Sequence, residues 1–561
     1  MFDLLIKDAE IFDGSGAQPV HGDVGVSGGK IAAVGGKLGA AKATVKAEGL
    51  ALAPGIIDGH THYDAQITWD PFVDPSPALG VTTAILGNCG FTIAPCRPAD
   101  RDLTLRHLTH VEGMSLDALR AGVRWEFESF PQYLDMLTRL GVGPNVACFS
   151  GHSSVRTWVM GEEATQRVAT DEEVVKMAAL VREAMAAGAV GFASSTAEAH
   201  NGEGGLPMPS RLADDRELRA LVNAMGESRA GVYMLTRGAK TSIPYLEELA
   251  AEIKRPVVIA ALFHSNTNPT AAFTTLDQVN AARGRGHQLV AQTSCCPLSM
   301  DFTFKSPYLF ESMKSWKAAM AAHGEAELKA VYRDPAWRAA VKQELAAARG
   351  RLVFNGEWDK LFVVEVAKPE NQAMEGATLA ALAKEAGKDP LDFILDFALS
   401  ENLDTAFVAQ LLHNDEKAVA KILADPNTHI SLSDAGAHLT FFCDAGFGLH
   451  LMGHWSRDLG VLDLAQAVHR LTGQPATLFG IRNRGLVREG YAADLMLFDP
   501  RTVARGPKRR AHDLPSGAAR LTTSAVGLHG VWINGTRVAD QKGFCVDPKA
   551  RPGEVLRNFM S

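Results

Sequence analysis

Apolar positions change their rhythm twice along this chain. Near the N-terminus they fall in short runs, Leu4 and Ile6, then Ile11, before a turn at Asp13-Gly14-Ser15-Gly16. Asp23-Val24-Gly25-Val26 leads through Ser27-Gly28-Gly29 into Lys30–Gly35. Short stretches of β-formers around a glycine-rich turn predict a hairpin. The C-terminal end has the same texture: Gly490–Asp499 reads as a strand leaving a turn and Val531–Val538 as another hairpin. Between the two ends the apolar segments are short, continuous and bounded by turn residues, as at 144–149, 189–193 and 256–262. Helical stretches such as Asp171–Ala187 separate them. This alternation predicts a parallel sheet with crossover helices. Residues at about 300–350 interrupt it with Phe310, Met313, Trp316 and Met320 at helical spacing, read here as core contacts of an inserted helical segment. The pattern divides the chain into one β-domain built from both termini, residues 1–53 with 484–561, and an α/β unit over residues 54–483.

Composition narrows the function classes. The 561 residues are 46% hydrophobic and 21% charged, ordinary for a soluble globular protein. A net charge of −8 leaves no nucleic-acid footprint. The basic run Arg505-Gly506-Pro507-Lys508-Arg509-Arg510 reads as a solvated loop. No apolar stretch of ~18 residues is present to span a membrane, and Met1–Asp8 lacks the pattern of a signal peptide. Seven scattered cysteines suit reduced thiols in a cytoplasm. A small-molecule substrate is the expected partner, with homo-oligomerisation left open.

Candidate chemistry starts at His60-Thr61-His62, which closes the apolar run Ala53-Pro54-Gly55-Ile56-Ile57-Asp58-Gly59. Histidines at i and i+2 of a strand share a face, and imidazole is the commonest metal ligand. The pair therefore reads as half of a metal site. Cys89 follows the apolar run Ala84-Ile85-Leu86 and is either an inert buried thiol or a third ligand. Asp434 ends the run His429–Ser433 and is either a helix cap or a site carboxylate.

The order of these features resembles the metal-dependent amidohydrolase superfamily: a β-rich start, Pro54–His62, a long middle, Ser433-Asp434, then Gly490-Tyr491-Ala492-Ala493-Asp494-Leu495. The segment Gly80–Phe91, containing Gly87-Asn88-Cys89-Gly90, is similar to the N-acyl-D-amino-acid deacylase (D-aminoacylase) branch. The resemblance covers nearly the whole chain. It implies a (β/α)8 TIM-like barrel carrying a small β-sandwich domain, with the site at the C-terminal strand ends. It also implies His60, His62 and Cys89 as ligands of a divalent cation, zinc first, and Asp434 as ligand and proton carrier. The expected activity is hydrolysis of non-peptide C–N bonds, foremost in N-acyl D-amino acids. Cyclic amides, carbamates or lactones, and a non-catalytic binding role, are the alternatives.

Two positions depart from the branch. Thr236 and Ala261 stand where it carries histidines after strands 5 and 6, so one bound ion is expected rather than two. His264, three residues beyond Ala261, is either a substitute ligand or an ordinary loop histidine. His152 resembles the Gly-His that ends strand 3 and is expected to polarise a carbonyl. Arg156 is a candidate for a substrate carboxylate or a structural ion pair. His438 and Asp444 are expected to line the mouth. His200, in a glycine-rich loop over 201–205, suits a lid and receives no chemistry.

Overall fold

In the computed structural model of the protein, residues 1–202, 205–347, 354–438 and 442–560 are described. Eight parallel strands form the central sheet: β1 (Ile56–Asp58), β2 (Val81–Leu86), β3 (Asn145–Gly151), β4 (Gly191–Ser195), β5 (Val232–Thr236), β6 (Val257–Ala260), β7 (Leu289–Gln292) and β8 (Thr428–His429). They lie side by side in chain order. The circle closes just past the ends of β1 and β8. There His62 N donates to Ala435 O (2.7 Å), Asp434 N to His60 O (3.1 Å), and Thr61 pairs with Ala435. Ser431 ties the seam below by accepting from Gly59 N and donating to Ile57 O. The result is the expected (β/α)8 barrel.

The continuous apolar runs follow from burial on both strand faces. Successive side chains alternate between two cores. Val232, Met234, Val258 and Val290 belong to one core, which includes the barrel interior. Tyr233, Leu235, Val257 and Ile259 meet the surrounding helices through Val181, Leu221, Leu246 and Leu276.

The two termini share one nine-stranded sheet. Residues 495–498 run antiparallel to 51–54 and join the N-terminal strands to the hairpin near 528–540. Leu495 and Leu497 enter a core of their own with Ile6, Val24 and Trp532. Met496 and Phe498 on the other face pack with Phe447, Leu451 and Leu471 beside the barrel. The expected sandwich is thus one continuous sheet with cores on both faces. Its closing segment, residues 553–560, passes beneath the barrel: Val146 N donates to Glu554 O and Leu556 N to Val146 O, at the start of β3.

The insertion between β7 and β8 is longer than the helical pattern predicted. It contains helices Glu325–Arg333 and Pro335–Ala347, and also an antiparallel sheet of Leu298–Phe302, Ala406–Leu412 and Leu361–Glu365. Phe310, Met313 and Trp316 are in its core as expected. Met320 instead lies on the surface, 55% exposed. All seven cysteines are free. Among the described residues, no helix is long and apolar enough to cross a membrane.

Candidate metal centre

His60 and His62 leave β1 on the closure seam, with Thr61 anchored by its Oγ1 to Ile85 O (2.8 Å). Their rings are 5.3 Å apart. His60 Nδ1 lies 2.9 Å from Gln292 Oε1. The amide is oriented by its own donation from Nε2 to Ser431 O (3.0 Å). Oε1 therefore accepts, Nδ1 carries a proton, and Nε2 is the His60 nitrogen turned toward the site. His62 Nδ1 stands 3.3 Å from Glu112 Oε1, and its Nε2 faces Asp434 at 3.8 Å.

Cys89 arrives on a tight turn after β2, at φ 57°. Gly87 and Gly90 flank it, also at positive φ. A Cβ on Gly90 would lie 2.6 Å from Ala193 O, and one on Gly87 2.9 Å from Phe149 O. Only glycine lets this turn press against β3 and β4, which explains the Gly-Asn-Cys-Gly spacing. Asn88 pins it by donating to Ile85 O (2.9 Å). Cys89 Sγ comes to 3.4 Å from His60 Nε2, and ligand atoms of His60, His62 and Cys89 all fall within 4.8 Å of one another. Burial opposes ionisation of the thiol, but the charge of His60 and hydrogen bonds from both histidines outweigh it and bring its pKa to about 6.

Asp434 completes the group. Its Oδ1 is 3.4 Å from His60 Nε2. The residue sits at φ 56°, a conformation uncommon outside glycine and often found at functional sites. Ser433 holds the turn by donating to Asp58 Oδ2 (2.5 Å). Burial raises the Asp434 pKa, but the hydrogen bond from His62 and the charge on His60 bring it below the ordinary carboxylate value. Two imidazoles, an acidic thiol and an ionised carboxylate converging in a buried pocket suit a divalent cation, and a soft one in particular.

The strand-5 and strand-6 departures are visible in space. Thr236 ends β5 and donates its hydroxyl to Cys89 Sγ at 3.1 Å. Ala261, just after β6, brings no donor. His264 is not part of the converging group. Its backbone pairs with His413, and its ring lies beside Phe273.

His152 needs correction, and Arg156 takes the structural ion pair of its two readings. His152 Nδ1 meets Ser194 Oγ (2.7 Å) and its Nε2 meets Glu217 Oε1 (2.9 Å). Arg156 pairs with the same glutamate and donates to Ala164 O and Arg167 O. All three side chains are fully buried, so their polar groups are spent holding the helices behind β3 and β4. Neither is available as an oxyanion donor or carboxylate clamp. His200 packs its ring on Phe91, 5.0 Å away, and meets Ser195 Oγ at 2.7 Å. Burial and the charge of His62 hold it neutral, with a pKa of about 3. Glu203 and Gly204 of its loop lie outside the described residues.

A chamber opens beside Asp434, walled by Tyr63, Gln66, Ser433, His438, Lys508 and Arg520. His438 is in its wall, 2% exposed, with neither ring nitrogen hydrogen-bonded. Asp444 also lines the chamber and pairs with Arg505. The basic run is therefore not a solvated loop. Residues 504–526 fold as two short antiparallel pairs over the mouth, with Arg510 on Asp301 and Leu521 N donating to His438 O. Glu112 and Gln292 went unremarked in the sequence, and Lys508 was noted there only as part of the basic run. Gln292 alone left a trace, an amide closing the apolar run Leu289-Val290-Ala291.

Residues 43–539 match the model of the amidohydrolase family. D-aminoacylase from Alcaligenes xylosoxydans xylosoxydans is 31% identical over 97% of this chain and 96% of its own length. N-acyl-D-aspartate deacylase from the same organism is 28% identical, covering 99% of this chain and 95% of its own. A solved D-aminoacylase structure concerned with a binuclear metal centre, one-metal activation and second-metal attenuation is 28% identical, spans 100% of both chains and superposes with a TM-score of 0.67.

Proposed function

Because the chain belongs to the amidohydrolase family, we propose that it deacylates N-acyl-D-amino acids at a centre of one divalent ion, zinc first, held by His60, His62, Cys89 and Asp434. The observation that carries this reading is the convergence of those donors on the barrel seam while Thr236 occupies the strand-5 position. The D configuration is supported by the relatives, which are N-acyl-D-amino-acid deacylases.

A divalent ion in such a donor set supplies Lewis-acid activation of water and of an amide carbonyl. The chain's own residues do the rest. Gln292 fixes the His60 tautomer and Glu112 faces the far nitrogen of His62. Asp434 takes a proton from the attacking water and passes it to the leaving nitrogen. The new C–O bond makes a carboxylate, the C–N bond breaks, and the amine leaves protonated. The free thiols fit a reducing compartment as the setting.

The experiment is amine release from paired N-acyl D- and L-amino acids, with cyclic amides and lactones alongside, on protein of known metal content. Turnover of the D series, loss on chelation and one firmly bound ion per chain are expected. Release from none of the N-acyl amino acids by metal-loaded protein would overturn the reading, and two firmly bound ions would overturn the stoichiometry.

A further inference from the structure

The barrel has a second opening, on the face opposite the chamber. There a cleft of about 330 Å³ enters where β6, β7 and β8 begin, lined by Pro256, Val290, His429, Gln474 and Leu478, with the exposed Arg283 at its rim. That is room for a small ligand. Pro256, Val290 and Leu478 give it apolar walls, and no acidic side chain among the described residues lines it. Arg283 is engaged at the edge, donating from Nε to Asn427 Oδ1 (3.0 Å) and from Nη1 to Leu289 O (3.1 Å).

The buried part of the cleft holds polar groups with nothing to bond. His429 is 1% exposed, and neither of its ring nitrogens has a hydrogen-bond partner. Burial and the charge of Arg470 hold the ring neutral, with a pKa of about 3. A neutral imidazole has one N–H donor and one bare acceptor nitrogen. Gln474 Oε1 is also buried without a partner, while its Nε2 donates to Thr428 O (3.3 Å). Gln474 comes close enough to offset part of the His429 shift, yet the two side chains do not bond each other. An open donor beside an open acceptor, both out of water, calls for a group that bridges them.

The donor and acceptor select that group. A carboxylate has no proton for Gln474 Oε1, and an ammonium has no lone pair for the imidazole N–H and meets the field of Arg470. A carboxamide serves both: its oxygen accepts from the imidazole and its NH2 donates to Gln474 Oε1. The apolar walls take the body that carries it.

We propose that this cleft is a binding site for a small uncharged carboxamide, read by His429 and Gln474 and separate from the hydrolytic centre. His429 pairs in register with Gln292, which holds His60, so the test is made on the metal-loaded full chain.

The probes are isobutyramide, isobutyrate and isobutylammonium, three head groups on one branched apolar body. Ligand-observed NMR titration should show the amide binding at least about tenfold more tightly than either ion. Gln474→Met and His429→Phe should each abolish that preference. Gln474 is only half-buried, so its variant carries the test if His429→Phe does not fold. Asp434→Asn should leave amide affinity within about twofold, because the site does not include the metal ligands. A crystal grown with isobutyramide should show the amide between His429 and Gln474. A wild-type protein without the preference, a Gln474→Met variant that keeps it, binding lost in Asp434→Asn, or water alone between the two side chains overturns the proposal. Tighter binding of isobutyrate overturns it too, and makes Arg283 the reader of an anion instead.

Discussion

At Asp434, exchanging one oxygen for nitrogen separates two roles. Asparagine keeps the size and one oxygen of the side chain but cannot carry a proton. General acid–base catalysis is typically worth about 10²–10⁴ in rate. Asp434→Asn should lower kcat by about that factor with metal content and thermal midpoint little changed, all measured on one preparation. Loss of the metal together with the rate would make Asp434 chiefly a ligand. Cys89 yields a pH prediction. Its folded pKa of about 6 lies below the ordinary thiol value of 9.0. In metal-free protein, thiolate absorbance should therefore titrate near pH 6. Because the folded value is depressed, the thiolate's contribution to stability is complete above pH about 9 and is lost as pH falls through about 6. A titration midpoint near 9 would show that the imidazoles do not hold the thiolate.

At the scale of elements, the Cys89 turn depends on two glycines more than on its own side chain. Gly90→Ala places a Cβ against Ala193 O at a positive φ. Positions of this kind cost about 1–3 kcal/mol when a side chain is forced on them. The variant should unfold at lower temperature and bind metal more weakly than wild type, as read by thermal unfolding and elemental analysis. Unchanged metal affinity would mean that the turn tolerates displacement.

This is also the scale at which the sequence was most legible. The turn motif, the His-Thr-His strand end and the hairpins at both termini are local patterns that propensity and period reveal. His152 was misread, and Arg156 left between two readings, because Glu217, more than sixty positions away, consumes both. Lys508 was misread for a related reason. A run of basic residues usually faces water, but here Asp444 and Asp301 draw Arg505 and Arg510 inward. The insertion ran past its helical pattern because Leu361–Glu365 and Ala406–Leu412 become strands by pairing with each other and, for the latter, with Leu298–Phe302.

For the whole molecule, both ends of the chain brace the barrel. Asn145, at the foot of β3, donates to Thr82 O and to Asp494 Oδ2, and accepts from Asn534. Arg484 spans Asp494 and Glu554. Ending the chain after Pro552 removes the Glu554 pairing and the backbone bonds to Val146, at the opposite end of the strands from the metal ligands. The truncated protein should unfold at a clearly lower temperature, with the same metal content per folded chain. Equal thermal midpoints would show that the tail is dispensable.

The seam that joins β1 to β8 also orders events during synthesis. His60 and His62 leave the ribosome early, but the carboxylate they face is 374 positions further on. At about 5–20 residues per second, the wait is roughly 20–75 s. Throughout it the nascent chain exposes a soft-metal half-site of two imidazoles and a thiol, with neither the wall nor the proton carrier of the finished enzyme. Metal acquisition in the cell is therefore expected to follow translation, after the barrel has closed.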